Sequence, residues 1–430
     1  MFNSDKKQFL LGIIMILSFA LTANRMIVYL YFIILFVQEL RYMSKYQNRK
    51  IIQQILMLIP LMGITVVDGV PLGNIYIAIF AVYLLFIYRH VGMRRSKFLP
   101  YMLFVFLDIF RLIIFYGEGF NLVGVISVPI LYLCIFAGIV AFEETNKDEI
   151  TNAYIPAFVE GVILSVLYGA VTRLNSGGII NILVNTSIVN RNEGASGDPN
   201  YFGLYICLAV AMLIFIMIIK NRYSVIYFLG SCLLLIMGLS SSSRMFFIIG
   251  FFLVAILCTI LLKNVFNKNI FTTLLILFIL GLGLYLTWDI FIDNLDYVFS
   301  RLNTSDVSEL TNGRSDLIRL YVSYINENAF RMLFGIGIAQ YNIRSGIGAY
   351  AHNMYLELYV TVGIIGIIIL ISFIMSKILK SRFYRKKLCQ FIPISIVLIS
   401  GISINFLEVD CFYMLWGLLF AIVSIKKEEK

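Results

Sequence analysis

Four short polar stretches interrupt an otherwise apolar chain, and each carries a side chain able to do chemistry. The first runs from Arg191 through Glu193, Gly194 and Gly197 to Asp198, Pro199 and Asn200. The second is four serines, Ser240 to Ser243, followed by Arg244. The third is Gly313, Arg314 and Asp316, with Arg319 one turn further on. The fourth begins at His352 and Asn353 and continues through Leu356 and Glu357 toward Thr361, Gly363 and Gly366. Arginine offers a planar, permanently charged fork that grips phosphate or carboxylate oxygens in pairs. A histidine at a helix start is disfavoured as a cation, so His352 is expected neutral and able to accept a proton. That is what a general base near neutral pH needs. Glu357 falls about one turn below it.

The same residues admit plainer readings. Asp198, Pro199 and Asn200 make a capped helix start with proline in the first turn. The serine run is a tight turn between two apolar segments, closed by an interfacial arginine. His352 alone is an ordinary interfacial histidine. Asp108 and Arg111, three apart on one apolar segment, read as a structural pair. Asp289, Asp293 and Asp296 lack a glycine-bearing calcium loop and read as a solvated helix face. The six cysteines show no C-x-x-C spacing, so neither a disulfide framework nor a metal site is expected, and no cofactor is called for.

The elements that must position these residues follow from composition. Of 430 residues, 60% are hydrophobic and only 13% charged, about half the charged share of a soluble domain. A soluble enzyme, a disordered chain and a fibre are excluded. The chain reads as an all-α polytopic membrane protein forming one integral domain over 1–430. Apolar runs fall at 9–23, 26–40, 51–67, 73–88, 98–116, 121–142, 154–171, 200–219, 224–239, 245–262, 270–288, 353–375, 391–407 and 411–425. That makes about fourteen spans, with twelve as the lower bound. The net charge of +10 is absorbed by short basic loops between spans, so nucleic acid is not a partner.

Most of the 34 basic residues fall on one side if both termini are cytoplasmic. Every lysine lies on that inner side, and every basic residue assigned outward is an arginine. Two outward loops are long, 172–199 and 289–352. Loops of such length are usually functional. Within the second, Leu317, Leu320, Tyr321, Tyr324 and Ile325 recur at helical spacing and predict an amphipathic surface helix.

The ordered combination of these motifs on one face of a many-span protein resembles the bacterial O-antigen polymerases and O-antigen ligases. The likeness is strongest from about 190 to 370 and includes Gly335 and Gly337; the first 180 residues match only in hydropathy and span spacing. Arg191 is followed by Gly203, one residue beyond the Arg-x10-Gly spacing of the polymerases. The resemblance implies a glycosyltransferase of the outer face of the bacterial cytoplasmic membrane, polymerising polyprenyl-pyrophosphate-linked oligosaccharide repeat units into O-antigen, capsule or exopolysaccharide. It implies a catalytic group of His352, Arg314, Arg244 and Glu357. Arg191, Asp198, Asn200, Arg319 and Asn353 would bind substrate, without metal. Donor and acceptor would both be lipid-linked oligosaccharide, amid membrane lipid, with a chain-length regulator and a flippase as further partners. A ligase acting on a lipid or surface acceptor shares the motifs. A lipid-linked oligosaccharide flippase is the rival from another class, and it calls for broken helices and a charged central path.

Overall fold

A computed structural model describes residues 6–67, 70–91, 105–106, 122–143, 145–177, 191–220, 224–266, 281, 285, 288, 292, 314–337, 352–379, 388–406, 409 and 411–425. Among the described residues the regular structure is helical apart from one pair of two-residue strands. In order come α1 (Lys6–Thr22), α2 (Arg25–Ser44), α3 (Asn48–Leu58), β1 (Val66–Val67), β2 (Val70–Pro71) and α4 (Leu72–Val91). Then follow α5 (Leu122–Val140), α6 (Ile155–Gly177), α7 (Pro199–Ile219), α8 (Val225–Gly238) and α9 (Arg244–Phe266). The last are α10 (Arg314–Asn326), α11 (Ala329–Phe334), α12 (Met354–Leu379), α13 (Leu388–Ser400) and α14 (Phe412–Ser424).

Among the described residues, five segments are long and apolar enough to cross a membrane: Arg25–Ser44, Lys147–Asn175, Pro199–Ile219, Arg244–Lys263 and Met354–Ser372. Five more apolar helices are of 10–17 residues. The apolar runs of the sequence thus do not all become full-length helices. Run 51–67 becomes a short α3 followed by a 3-10 turn, Ile59–Thr65, because Pro60 cannot continue an α-helix. Run 391–407 stops being helical at Ser400. Most of runs 98–116 and 270–288, together with Asp108, Arg111 and most of 289–313, lies outside the described residues. Of the expected loop 172–199, the residues up to Gly177 belong to α6, and 178–190 lie outside the described residues.

The chain divides into two compact units. The first comprises Met1–Pro71, Asp148–Asn303 and Tyr384–Val397. Its centre is α7, buried at every position from Phe202 to Met217, and α3, buried from Ile51 to Leu58. Between helices in lipid, close packing rather than water exclusion drives association, so small residues mark the tightest contacts. Gly161 of α6 is one: a Cβ there would strike the carbonyl of Met57 on α3. Ahead of α6, residues Ile150–Tyr154 form a π-helical turn.

The second unit comprises Leu72–Lys147, Thr304–Phe383 and Leu398–Lys430. Here α5 packs on α4 and α14, with Gly138 and Gly417 each set against the other helix's backbone. A helix is present where the periodicity predicts one, α10. Its Tyr321 and Ile325 are fully buried with Ile336 and Val360, docking it on α12. Leu320 departs from that expectation and is 53% exposed. It lies beside the stripe defined by Leu317, Tyr321 and Ile325 rather than on it.

Candidate functional site

In the first unit, the segment 191–198 and the serine turn form a single structure. Asp198 caps α7, its Oδ1 accepting from the amides of Asn200 at 2.6 Å and Tyr201 at 3.2 Å, with Pro199 in the first turn. The cap predicted from Asp198 and Pro199 is thus present. Gly194 (φ +53°) and Gly197 (φ +76°) turn the preceding chain through left-handed backbone. The segment is tied down at both sides: Ser165 of α6 accepts from the Ala195 amide at 2.8 Å, and the Ile64 amide donates to the Ala195 carbonyl at 3.2 Å.

Asn192 pins the segment to the serine turn. Its amide and Nδ2 donate to Ser240 O at 3.0 Å and Ser240 Oγ at 2.9 Å, while its Oδ1 accepts from Gly194 N at 2.9 Å. The turn is a short 3-10 segment, Leu239–Ser241, closed by Ser242 in left-handed conformation at φ +46°. All four serines are buried. Gly203 lets the turn seat against α7, since a Cβ there would come within 3.2 Å of Ser241 Oγ and 3.1 Å of Phe246 Cβ.

Arg191 and Arg244 both attach to this scaffold, one by hydrogen bonds and the other by the chain itself. The Arg191 Nε donates to Ser241 O at 3.0 Å and its Nη2 to Asn200 Oδ1 at 3.2 Å. Ser243 Oγ donates to the same Asn200 oxygen at 3.1 Å, and Arg244 follows immediately as the first residue of α9. Both arginines are half-buried. The structure therefore brings together Arg191, Asp198, Asn200 and Arg244. Glu193, which the sequence did not single out, stands exposed beside them. Partial burial and the neighbouring Asp198 charge raise its carboxyl above the usual range, with Arg191 pulling the other way.

The second unit holds the other group. Asn353 caps α12 through Oδ1, accepting from Tyr355 N at 3.0 Å and Leu356 N at 3.1 Å. His352, expected at the helix start, lies one residue before the cap, exposed and at φ +50°. Glu357 is fully buried in the first turn of α12. Arg314 opens α10, and Arg319 is exposed on it. A further arginine escaped notice: Arg331 lies 4.1 Å over the Tyr324 ring, donates to Tyr324 O at 3.3 Å and approaches Glu327 at 3.8 Å. These contacts hold Arg331 between α10 and α11.

Chemically, the first group is one fixed guanidinium, Arg191, on a buried serine turn that ends at Arg244. Arg191 commits two donors to the scaffold and so has its fork fixed in direction, which suits recognition of a doubly anionic group. The second group offers an imidazole and a buried carboxyl at one helix start. No protein-family model, curated protein or solved structure matches the chain.

Proposed function

We propose that the chain is a membrane glycosyltransferase that polymerises polyprenyl-pyrophosphate-linked repeat units on the outer face of the bacterial cytoplasmic membrane. The observation that carries this reading is the convergence of Arg191 and Arg244 on one buried serine turn. Transfer from a lipid pyrophosphate breaks a C–O bond and leaves growing charge on the departing phosphate. Oriented guanidiniums stabilise that charge without needing to reorganise. By the sequence resemblance, the reading also gives Arg314 a phosphate-binding role, Arg319 and Asn353 glycan contacts, and His352 the proton of the acceptor hydroxyl. The reading includes about fourteen spans with both termini inside.

The test is Arg244→Lys in cells that depend on this chain for their glycan. Lysine keeps the charge and loses the paired donors. Long glycan should disappear while the protein inserts normally, and single lipid-linked units should accumulate on the outer leaflet. Normal glycan length in that variant would reduce Arg244 to an anchor. Loss of attachment to the final acceptor, with chain length intact, would select the ligase instead.

One observation favours the transport reading. Helix α12 is broken at Gly363, which has φ +66° and ψ −176° inside an otherwise continuous apolar helix. Discontinuous helices are a feature of transporters. Accumulation of lipid-linked units on the inner leaflet would decide for it.

A further inference from the structure

The lysine-bearing end of the first unit contains a polar cluster with no part in the arginine site. On α2, Glu39 shares the inward face with Tyr31, Leu35 and Met43, and none of its surface reaches solvent. Neither carboxyl oxygen has a hydrogen-bond partner among the described residues. The side chains on both sides of it are satisfied. Gln8 of α1 lies with Nε2 3.4 Å from Gln38 Oε1 and 3.3 Å from the Tyr42 hydroxyl, and Gln54 of α3 donates to Gln38 Oε1 at 3.0 Å. This glutamine bridge ties α1, α2 and α3 together and passes Glu39 by. Further buried polar atoms without partners among the described residues are the Tyr31 hydroxyl of α2, Asn48 Oδ1 and Gln53 Nε2 of α3, and Thr151 Oγ1 in the π-turn against α3.

Native interiors rarely leave such atoms unsatisfied, and a group of them calls for an explanation. An ionised carboxylate at this depth would forfeit its hydration with no cation or donor in return. The titratable side chains on the helices packed against α2 are Lys6 and Lys7 of α1 and Arg49 and Lys50 of α3. Those on α2 itself are Arg25, Tyr29, Tyr31, Arg41 and Tyr42. Lys6, Lys7, Arg41 and Arg49 are exposed, and the Lys50 ammonium stands 5.1 Å over the Tyr42 ring. None is an ion-pair partner of Glu39.

We propose that Glu39 is a proton-binding site: its carboxyl carries a proton while α1, α2 and α3 are packed as observed. The neutral acid needs no counter-ion, and it forfeits far less hydration than the carboxylate would. Releasing the proton leaves a carboxylate that must draw water or a cation between the three helices. Proton occupancy at Glu39 is thereby linked to the closed packing of that end of the unit. This site is independent of the transfer chemistry proposed above, and its test does not read glycan.

The experiment is infrared spectroscopy of the purified full chain in sodium-free buffer at neutral pH, wild type against Glu39→Gln. Glutamine has the shape of the neutral acid, so the variant should fold and melt close to wild type. The wild type should show a protonated-carboxyl stretch that the variant loses; Glu160 and Glu357, also buried, contribute equally to both. A second measurement needs no variant: dicyclohexylcarbodiimide, an apolar reagent for protonated carboxyls, should modify Glu39 in the wild type and leave the exposed Glu327 untouched. Identical infrared spectra, or an unmodified Glu39, would overturn the proposal. So would disappearance of the band and of the adduct on adding sodium at constant pH, which makes Glu39 a cation ligand.

Discussion

Gly335 and Gly363 face each other through their backbones so closely that neither has room for a side chain. A Cβ on Gly363 would fall 2.5 Å from the amide nitrogen of Gly335, and a Cβ on Gly335 would fall 2.7 Å from that of Gly363. Both occupy a backbone region that essentially only glycine enters, at φ +72°, ψ −173° and φ +66°, ψ −176°. The contact lets Ile336 and Gly337 donate to the carbonyls of Val360 and Thr361, each at 2.9 Å. Backbone groups freed by a helix break at membrane depth are costly unless satisfied in this way. The α10–α11 segment and the break in α12 therefore hold each other.

Gly363→Ala should cost about 3 kcal/mol or more, from backbone strain plus the collision. Thermal melting of the detergent-purified protein measures this. Gly230→Ala is the control: its backbone is not left-handed, and a Cβ there would meet nothing within 4 Å. A Gly363→Ala protein melting with wild type would mean that the break is not needed.

Glu193 gives a pH dependence whose sign is fixed. Its folded-state carboxyl is raised by burial first and by Asp198 second. The stabilising contribution is therefore full below the ordinary carboxylate range, where both states are protonated. It is lost as pH rises through the raised folded value. Glu193→Gln should flatten that part of the melting temperature profile, and added salt should shrink the Asp198 share in the wild type. A profile unchanged by the substitution would show that Glu193 is fully solvated.

Local chemistry was legible in the sequence, and long-range contact was not. The cap at Asp198 and Pro199 and the serine turn each depend on a few consecutive residues. The Arg191 bond to Ser241 joins positions 50 apart, and nothing in either motif announces it. Hydropathy found the apolar runs without their helix lengths, because it weighs transfer to lipid and not backbone geometry. Pro60 was a visible warning in 51–67. The break at Gly363 had only a glycine as its signal, in a stretch as apolar as any other. Glu39 was hidden for a related reason: one carboxyl does not spoil the hydropathy of a twenty-residue helix.

The orientation reading predicts that α10 and the α2–α3 turn lie on opposite sides of the membrane. Single cysteines at Glu327 and Lys45, both exposed, in a background without the native cysteines, test it with an impermeant thiol reagent. Glu327→Cys should label in intact spheroplasts and Lys45→Cys only after lysis. The reverse pattern would invert the topology and place the arginine site on the wrong side for an outer-leaflet donor.

His352 separates catalysis from binding, and its backbone dictates which substitution to use. At φ +50° most side chains are strained, while asparagine tolerates the left-handed region as well as histidine does. His352→Asn should therefore fold and melt as the wild type, keeping a polar side chain but no group that accepts a proton at neutral pH. If His352 is the base for the acceptor hydroxyl, transfer should fall on the order of 10²–10⁴-fold, the usual worth of general acid–base catalysis. Single repeat units should then collect on the outer leaflet. His352→Gly, which relieves the strain and removes the imidazole, should melt slightly higher and transfer no better. Transfer regained with added imidazole in the glycine variant would confirm the role. Near-normal transfer by the asparagine variant would leave His352 as a positioning residue and move the search for the base to Glu357, buried one turn below.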